Sequence, residues 1–177
     1  MLRCSWVKIT KDDSLTLKWD GTGIIEWYID AAFGAHPDMK GHTGATMFMG
    51  EGAGISLCSK QKTNSRSSTE AEILAVDDAV SSIMWTKHFI EAQGYEVKEN
   101  IVCQDNQSAI LLAKNGRQSA GKRTKHMNVK YFYIHDLQNQ GYVKVKYCST
   151  DDMTVHLPFK KRHVIDRITL FHHQKPI

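Results

Sequence analysis

The chain has 177 residues, of which 41% are hydrophobic and 24% charged, and a formal net charge of +4. This length and composition indicate one soluble globular domain with its own core, and no apolar run is long enough to span a membrane. Residues 1–12 carry scattered charges and no small-residue cleavage site, which argues against a secretory signal peptide. The four cysteines form no Cys-x-x-Cys pair, which disfavours a structural zinc site or a disulfide framework and favours a reduced, intracellular protein.

The first third of the chain predicts a lead-in segment followed by an antiparallel meander. Residues 1–23 are weakly patterned and end in a turn signal, so we expect the folded domain to begin at residue 24. Three predicted strands follow, at residues 24–33, 43–49 and 54–59. The first strand alternates apolar and polar side chains, and we expect its Trp27 in the core. The short connections between the strands are typical of antiparallel pairing.

The rest of the chain predicts helices alternating with strands. A basic loop with Lys60 and Lys62 leads into a long helix, which Gly94 terminates and whose Trp85 and Phe89 are expected in the core. The elements from this helix onward are predicted at residues 69–93 (helix), 101–104 (strand), 107–114 (helix), 128–139 (helix) and 142–148 (strand). This order predicts an α/β fold, in which a mixed sheet carries helices on its faces.

Three acidic residues occupy positions where a carboxylate requires a structural or functional explanation. Asp30 falls within an apolar strand, and Asp105 ends the strand that follows the long helix. Glu72 extends the apolar row of that helix, whereas Glu70 lies on a more polar row. Structural explanations are available, because either glutamate fits a capping box and Asp105 is a common N-cap type. Converging carboxylates would instead bind hard divalent cations, and two such ions can clamp the reacting oxygens of a phosphodiester.

Positive charge is concentrated between residues 121 and 147, where aromatic residues are interleaved with it. The basic residues there are Lys122, Arg123, Lys125, Lys130, Lys144 and Lys146, against Asp136 alone. Such a cluster is typical of a binding surface for a polyanion, most often nucleic acid, and equally of a solvated face. His126, beside Lys125, is expected to contact phosphate or to cap a helix.

Five motifs, taken together in this order, resemble the ribonuclease H domain of copia-like retrotransposon Pol polyproteins. They lie at residues 27–31 (WYIDA), 60–63 (KQKT), 67–72 (SSTEAE), 104–110 (QDNQSAI) and 123–126 (RTKH), and the similarity extends over residues 15–152. The resemblance implies the ribonuclease H-like fold, a mixed five-stranded sheet with helices on its faces. It also implies cleavage of the RNA strand of an RNA–DNA hybrid by two-metal hydrolysis.

The resemblance further implies partners, a location and site residues. The partners would be the hybrid and the reverse transcriptase portion of the same polyprotein, without a membrane, in a cytoplasmic retroelement particle or the nucleus. In the family four acids hold two Mg²⁺ ions, and Asp30, Glu72 and Asp105 match the first three, with Glu70 competing for the second place. The residues expected to hold the hybrid backbone are Lys60, Lys62, Lys122, Arg123, Lys125 and His126.

The fourth acid of the family is replaced in this sequence. His156 stands where the family has an aspartate, and Asp152 precedes that position. Histidine is a poorer Mg²⁺ ligand than carboxylate, and Mn²⁺ is more tolerant of nitrogen. We expect the domain to span residues 24–157, followed by a basic, poorly ordered tail at 158–177. Two interpretations therefore stay open: an active ribonuclease H domain, and a nucleic-acid-binding remnant that keeps the fold without turnover.

Overall fold

A computed structural model describes residues 16–115 and 128–153 of the chain, with only the backbone of residues 128–132. The elements, in chain order, are β1 (Lys18–Trp19), β2 (Ile24–Ala32), β3 (His42–Phe48), β4 (Gly50–Glu51), β5 (Ala53–Lys60), α1 (Ser68–Ala92), β6 (Glu99–Gln104), α2 (Gln107–Asn115), α3 (Asn128–Asn139) and β7 (Lys144–Tyr147). The meander, the long helix and the later alternation of helices and strands are confirmed. None of the helices in the described part of the chain has the length and apolarity needed to cross a bilayer.

The main sheet has five strands in the order β5-β3-β2-β6-β7. β2 pairs antiparallel with β3, and β3 with β5, whereas the pairs β2–β6 and β6–β7 are parallel. Short turns permit the antiparallel pairs, and the helical crossovers α1 and α2–α3 permit the parallel ones. The predicted mixed five-stranded sheet of the α/β class is thus confirmed.

A second, two-stranded ribbon joins the end of the expected lead-in segment to the meander. Lys18 pairs with Glu51 and Trp19 with Gly50, which ties β1 to β4. The next glycine, Gly52, has a φ of +78° and lies so close to the backbone of Thr16 that a Cβ atom would clash with it. A side chain at this position would therefore disrupt both the turn and the contact.

The hydrophobic core lies between the sheet and α1, which packs across β2 and β3. Trp27 is completely buried there, as predicted. The prediction for Trp85 and Phe89 is wrong, because they are 59% and 48% exposed and stack on each other with ring centroids 5.0 Å apart. The two residues are four apart and share one helical face, and the opposite face carries most of the buried residues of α1.

The strand pair β6–β7 places an acid between two of the lysines that the sequence marks as basic. Lys144 Nζ lies 2.7 Å and Lys146 Nζ 3.3 Å from the carboxylate oxygens of Glu99. Both lysines belong to the predicted basic cluster, and Glu99 lies outside that stretch in sequence. The positive charge of this part of the cluster is therefore partly balanced by the neighbouring strand.

Replacing Glu99 with glutamine is expected to lower the free energy of unfolding at neutral pH and to leave it unchanged in acid. The hydrogen bond from Lys144, and to a lesser extent the one from Lys146, lowers the pKa of Glu99 below its ordinary value of 4.5. A lowered folded-state pKa stabilises the protein above the unfolded-state pKa, and the stabilisation is lost as the pH falls through the folded-state pKa. Urea unfolding of both proteins across this range should give curves that converge at low pH. Curves that stay parallel would contradict the prediction.

Candidate metal centre

Three carboxylates meet at one edge of the main sheet. Carboxylate oxygens of Asp30, Glu72 and Asp105 all lie within 4.8 Å of one another. Asp30 is 4% and Glu72 6% exposed, and Asp105 is half-buried. The parallel register pairs Tyr28 with Cys103, so Asp30 and Asp105 stand two residues further along, at the carboxyl ends of neighbouring strands. Glu72 reaches the same edge from near the beginning of α1.

Each of the three carboxylates accepts a hydrogen bond from an uncharged donor. The Ala31 N–H donates to Asp30 Oδ1 over 2.9 Å, and Gln104 Nε2 donates to Glu72 Oε2 over 3.0 Å. Thr150 Oγ1 donates to Asp105 Oδ2 over 3.0 Å. Neutral donors orient these groups without cancelling their charge, and close negative charges in a buried site repel one another. An all-oxygen set of this kind fits a hard divalent cation.

The capping explanation for Asp105 does not apply to its side chain. The N–H of Ala109 in α2 donates to Asn106 Oδ1 over 3.0 Å, so Asn106 caps the helix. The Asp105 side chain is accordingly available at the sheet edge. Asn106 thus caps α2, while its neighbour Asp105 lies with the other two acids at the sheet edge.

Glu70 is used as a helix cap. Its own N–H donates to the N-cap residue Ser67, and its Oε2 accepts from the Arg66 N–H over 2.7 Å. Ser67 and Glu70 therefore form the capping pair at the start of α1. Glu72 lies two residues further along α1. It belongs instead to the carboxylate cluster, which consists of Asp30, Glu72 and Asp105.

The basic residues expected to hold nucleic acid are placed differently from one another. Lys60 Nζ lies 2.7 Å from Asp38 Oδ2, and this hydrogen bond lowers the pKa of Asp38. Lys62 is exposed and lines a surface hollow together with Asp77 and Asp78 of α1. The other predicted contacts, and the residue in the fourth acid's place, lie outside the described residues: Lys122, Arg123, Lys125, His126 and His156.

Asp152, the acid that precedes the fourth position, serves a local turn. Its Oδ2 accepts from Ser149 Oγ over 2.5 Å, and its N–H donates back to Ser149. Among the described residues, the group of acids that could hold a metal ion comprises the three named above and not Asp152. The same turn carries Thr150, whose contact with Asp105 sequence reasoning missed because hydroxyl residues are common in such turns.

Two solved structures share the fold of this chain. LC11-RNase H1, isolated from compost by a metagenomic approach, superposes with a TM-score of 0.51 at 11% sequence identity, covering 73% of this chain and 87% of that one. The same protein in complex with an RNA/DNA hybrid gives a TM-score of 0.51 at 11% identity, covering 73% and 88%. The five-stranded sheet therefore defines a ribonuclease H-like fold. No family model matches the chain.

Transposon proteins are the relatives in sequence. The retrovirus-related Pol polyprotein from transposon TNT 1-94 of Nicotiana tabacum is 35% identical over 130 residues, 73% of this chain and 10% of that protein. The corresponding polyprotein from transposon RE2 of Arabidopsis thaliana is 28% identical over 145 residues, 81% of this chain and 10% of that protein. The chain thus spans about a tenth of the length of the curated relatives it matches. It belongs to the family of retrovirus-related Pol polyproteins from transposons, and it has a ribonuclease H-like fold.

Proposed function

We propose that this domain is an endoribonuclease that cleaves the RNA strand of an RNA–DNA hybrid with the help of bound divalent cations. The observation that carries the proposal is the convergence of Asp30, Glu72 and Asp105 within 4.8 Å at the carboxyl edge of the sheet. Family membership supports it, as does the fold, since LC11-RNase H1 was solved with an RNA/DNA hybrid bound. The reverse transcriptase portion of the same polyprotein is the proposed partner that supplies the hybrid.

Asp30, Glu72 and Asp105 would hold Mg²⁺, or Mn²⁺ in its place. When bound, such ions stabilise charge on the attacking and leaving oxygens of a phosphodiester and make water a better nucleophile. The chain's own groups prepare the ligands, since the Ala31 N–H orients Asp30 and the Thr150 hydroxyl orients Asp105. The low exposure of Asp30 and Glu72 strengthens electrostatic interactions with a cation. Discrimination of the substrate would depend on the 2′-hydroxyl and on duplex shape.

The test is cleavage of a hybrid whose RNA strand is labelled, with a DNA duplex of the same sequence as the control substrate. We expect cuts in the RNA strand of the hybrid alone, abolished by a chelator and by Asp30→Asn. Cleavage that persists in the Asp30→Asn variant would come from another site or a contaminant and would contradict the proposal.

A second candidate function is nucleic-acid binding without turnover. The replacement of the fourth acid by His156 favours it, because a site with fewer carboxylates holds Mg²⁺ less well. Hybrid binding that survives Asp30→Asn, together with no cleavage in Mg²⁺ or Mn²⁺, would establish this function in place of the first.

Binding of the hybrid is expected to weaken steeply with salt, and alanine at Lys122, Arg123 and Lys125 should flatten that dependence. Each phosphate contact removed should reduce the slope of log affinity against log salt by about one unit, because fewer counterions are released. Fluorescence anisotropy with the Asp30→Asn protein measures this without cleavage. The matched control is alanine at Lys144 and Lys146, which already pair with Glu99 and should change the slope less. Equal slopes for the triple variant and the parent would identify the cluster as a solvated face.

A further inference from the structure

The side chain of Gln104 is a buried polar group in contact with the carboxylate cluster. It is 1% exposed, and its Nε2 donates to Glu72 Oε2 over 3.0 Å. Its Oε1 is buried and accepts no hydrogen bond in the described part of the chain. Burying an unsatisfied amide oxygen is unfavourable, and an apolar side chain would avoid it. The favourable contact of this amide is therefore the hydrogen bond that its Nε2 donates to Glu72.

We propose that Gln104 is a positioning residue, which holds Glu72 in the orientation in which it ligates a divalent cation. The inference rests on the proposed function of the three carboxylates. Gln104 is the last residue of β6 and directly precedes Asp105. Its carbonyl accepts from the Cys148 N–H over 2.9 Å, and its backbone pairs with Tyr147 of β7, so the end of the strand is held on that side.

The Gln104 amide connects two elements that each carry a ligand. Glu72 belongs to α1, and Asp105 directly follows β6. The hydrogen bond from Gln104, the last residue of β6, therefore joins α1 to the strand that precedes Asp105. An amide suits this task because it donates a hydrogen bond and carries no charge. A lysine or arginine would fix the same carboxylate oxygen and also neutralise it, in competition with the cation. In other metalloproteins, residues that donate hydrogen bonds to the metal ligands also influence the metal affinity.

Asn100 provides a matched control within the same strand. It is 5% exposed, its Nδ2 donates to the Tyr142 carbonyl over 3.3 Å, and its Oδ1 is buried and accepts no hydrogen bond from the residues that the structure describes. It is not one of the residues that form the carboxylate cluster. If a buried amide of β6 had only a structural role, replacing Asn100 and replacing Gln104 should change the Mn²⁺ affinity to the same extent.

The experiment is calorimetric titration of the full chain with Mn²⁺, well below the unfolding temperature, for the parent, Gln104→Met and Asn100→Leu. We expect Gln104→Met to bind about 10- to 100-fold more weakly than the parent, and Asn100→Leu to bind equally tightly. Gln104→Asn, which keeps an amide but is one methylene too short to reach Glu72, covers the case that Gln104→Met does not fold and should also bind more weakly. Raising the Mn²⁺ concentration should restore hybrid cleavage in the Gln104 variants.

The outcomes separate this inference from the proposed function. A parent chain that binds no cation overturns the proposed function, and the inference with it. Binding by the parent with equal affinity in the Gln104 variants overturns the inference alone. Equal weakening by Asn100→Leu would likewise overturn it, since the effect would then follow from any loss of a buried amide in β6.

Discussion

Replacing Glu72 with glutamine is expected to reduce cleavage of an RNA–DNA hybrid by about a hundredfold or more, whereas Glu70→Gln should leave the rate within a few-fold of the parent. Glu72 is 6% exposed and lies in the carboxylate cluster, and Glu70 caps the helix outside it. Glutamine keeps the size of the side chain and removes the charge that a cation requires. Initial rates on labelled hybrid at a fixed Mg²⁺ concentration measure the difference.

The two variants should also differ in stability, in the opposite sense. Glu70→Gln removes the charge at the start of α1 but keeps an oxygen that can accept from the Arg66 N–H, so we expect a small loss of stability. Glu72→Gln removes one of three close negative charges, so without metal we expect its unfolding temperature to rise. Added Mg²⁺ should stabilise the parent and have little effect on Glu72→Gln. The reverse pattern, with Glu70→Gln inactive and Glu72→Gln active, would exchange the roles of the two glutamates.

Replacing His156 with aspartate is expected to raise Mg²⁺-dependent cleavage by about tenfold or more, since loss even of a group behind a metal ligand costs about 10- to 100-fold. His156 lies outside the described residues, and the prediction rests on its place in the sequence, where the family resemblance expects an acid. An imidazole supplies no negative charge, and Mg²⁺ favours oxygen ligands. Parallel rate measurements in Mg²⁺ and Mn²⁺ should show a smaller gain in Mn²⁺, which is more tolerant of nitrogen.

The control for this experiment is Asp30→Asn in both backgrounds, which should be inactive in each. A parent that already matches the His156→Asp rate would mean that the histidine does not limit the site. No gain from His156→Asp, with hybrid binding intact, would favour the binding function without turnover.

Much of the fold follows from local patterns in this sequence. The alternation in β2 specifies which face is buried, since successive side chains of a strand point to opposite sides. The Ser/Thr-rich start and Gly94 bound the long helix, and the structure has it at Ser68–Ala92. Short turns within the meander and helical crossovers after it determine which pairs are antiparallel and which parallel. These signals act over a few residues, so the sequence alone carries them.

The site depended on contacts that only the tertiary structure brings together. Both glutamates fit a cap in the sequence, and the apolar row behind Glu72 favours it as the site residue. The docking of α1 on the sheet brings Glu72 beside Asp30 and leaves Glu70 at the start of the helix. The exposure of Trp85 has the same origin, since a helix with apolar residues on several faces does not show which face meets the sheet.

The pairing of charged residues also depends on the tertiary structure. A run of lysines in the sequence is partly balanced in space, where Glu99 pairs with Lys144 and Lys146 from the neighbouring strand, and Asp38 pairs with Lys60. The sequence by itself determined the elements, the fold class and the candidate acids, through short-range periodicity and turn chemistry. Only the tertiary structure decided how closely these acids approach one another and which charges pair, because residues far apart in the chain become neighbours when strands and helices dock.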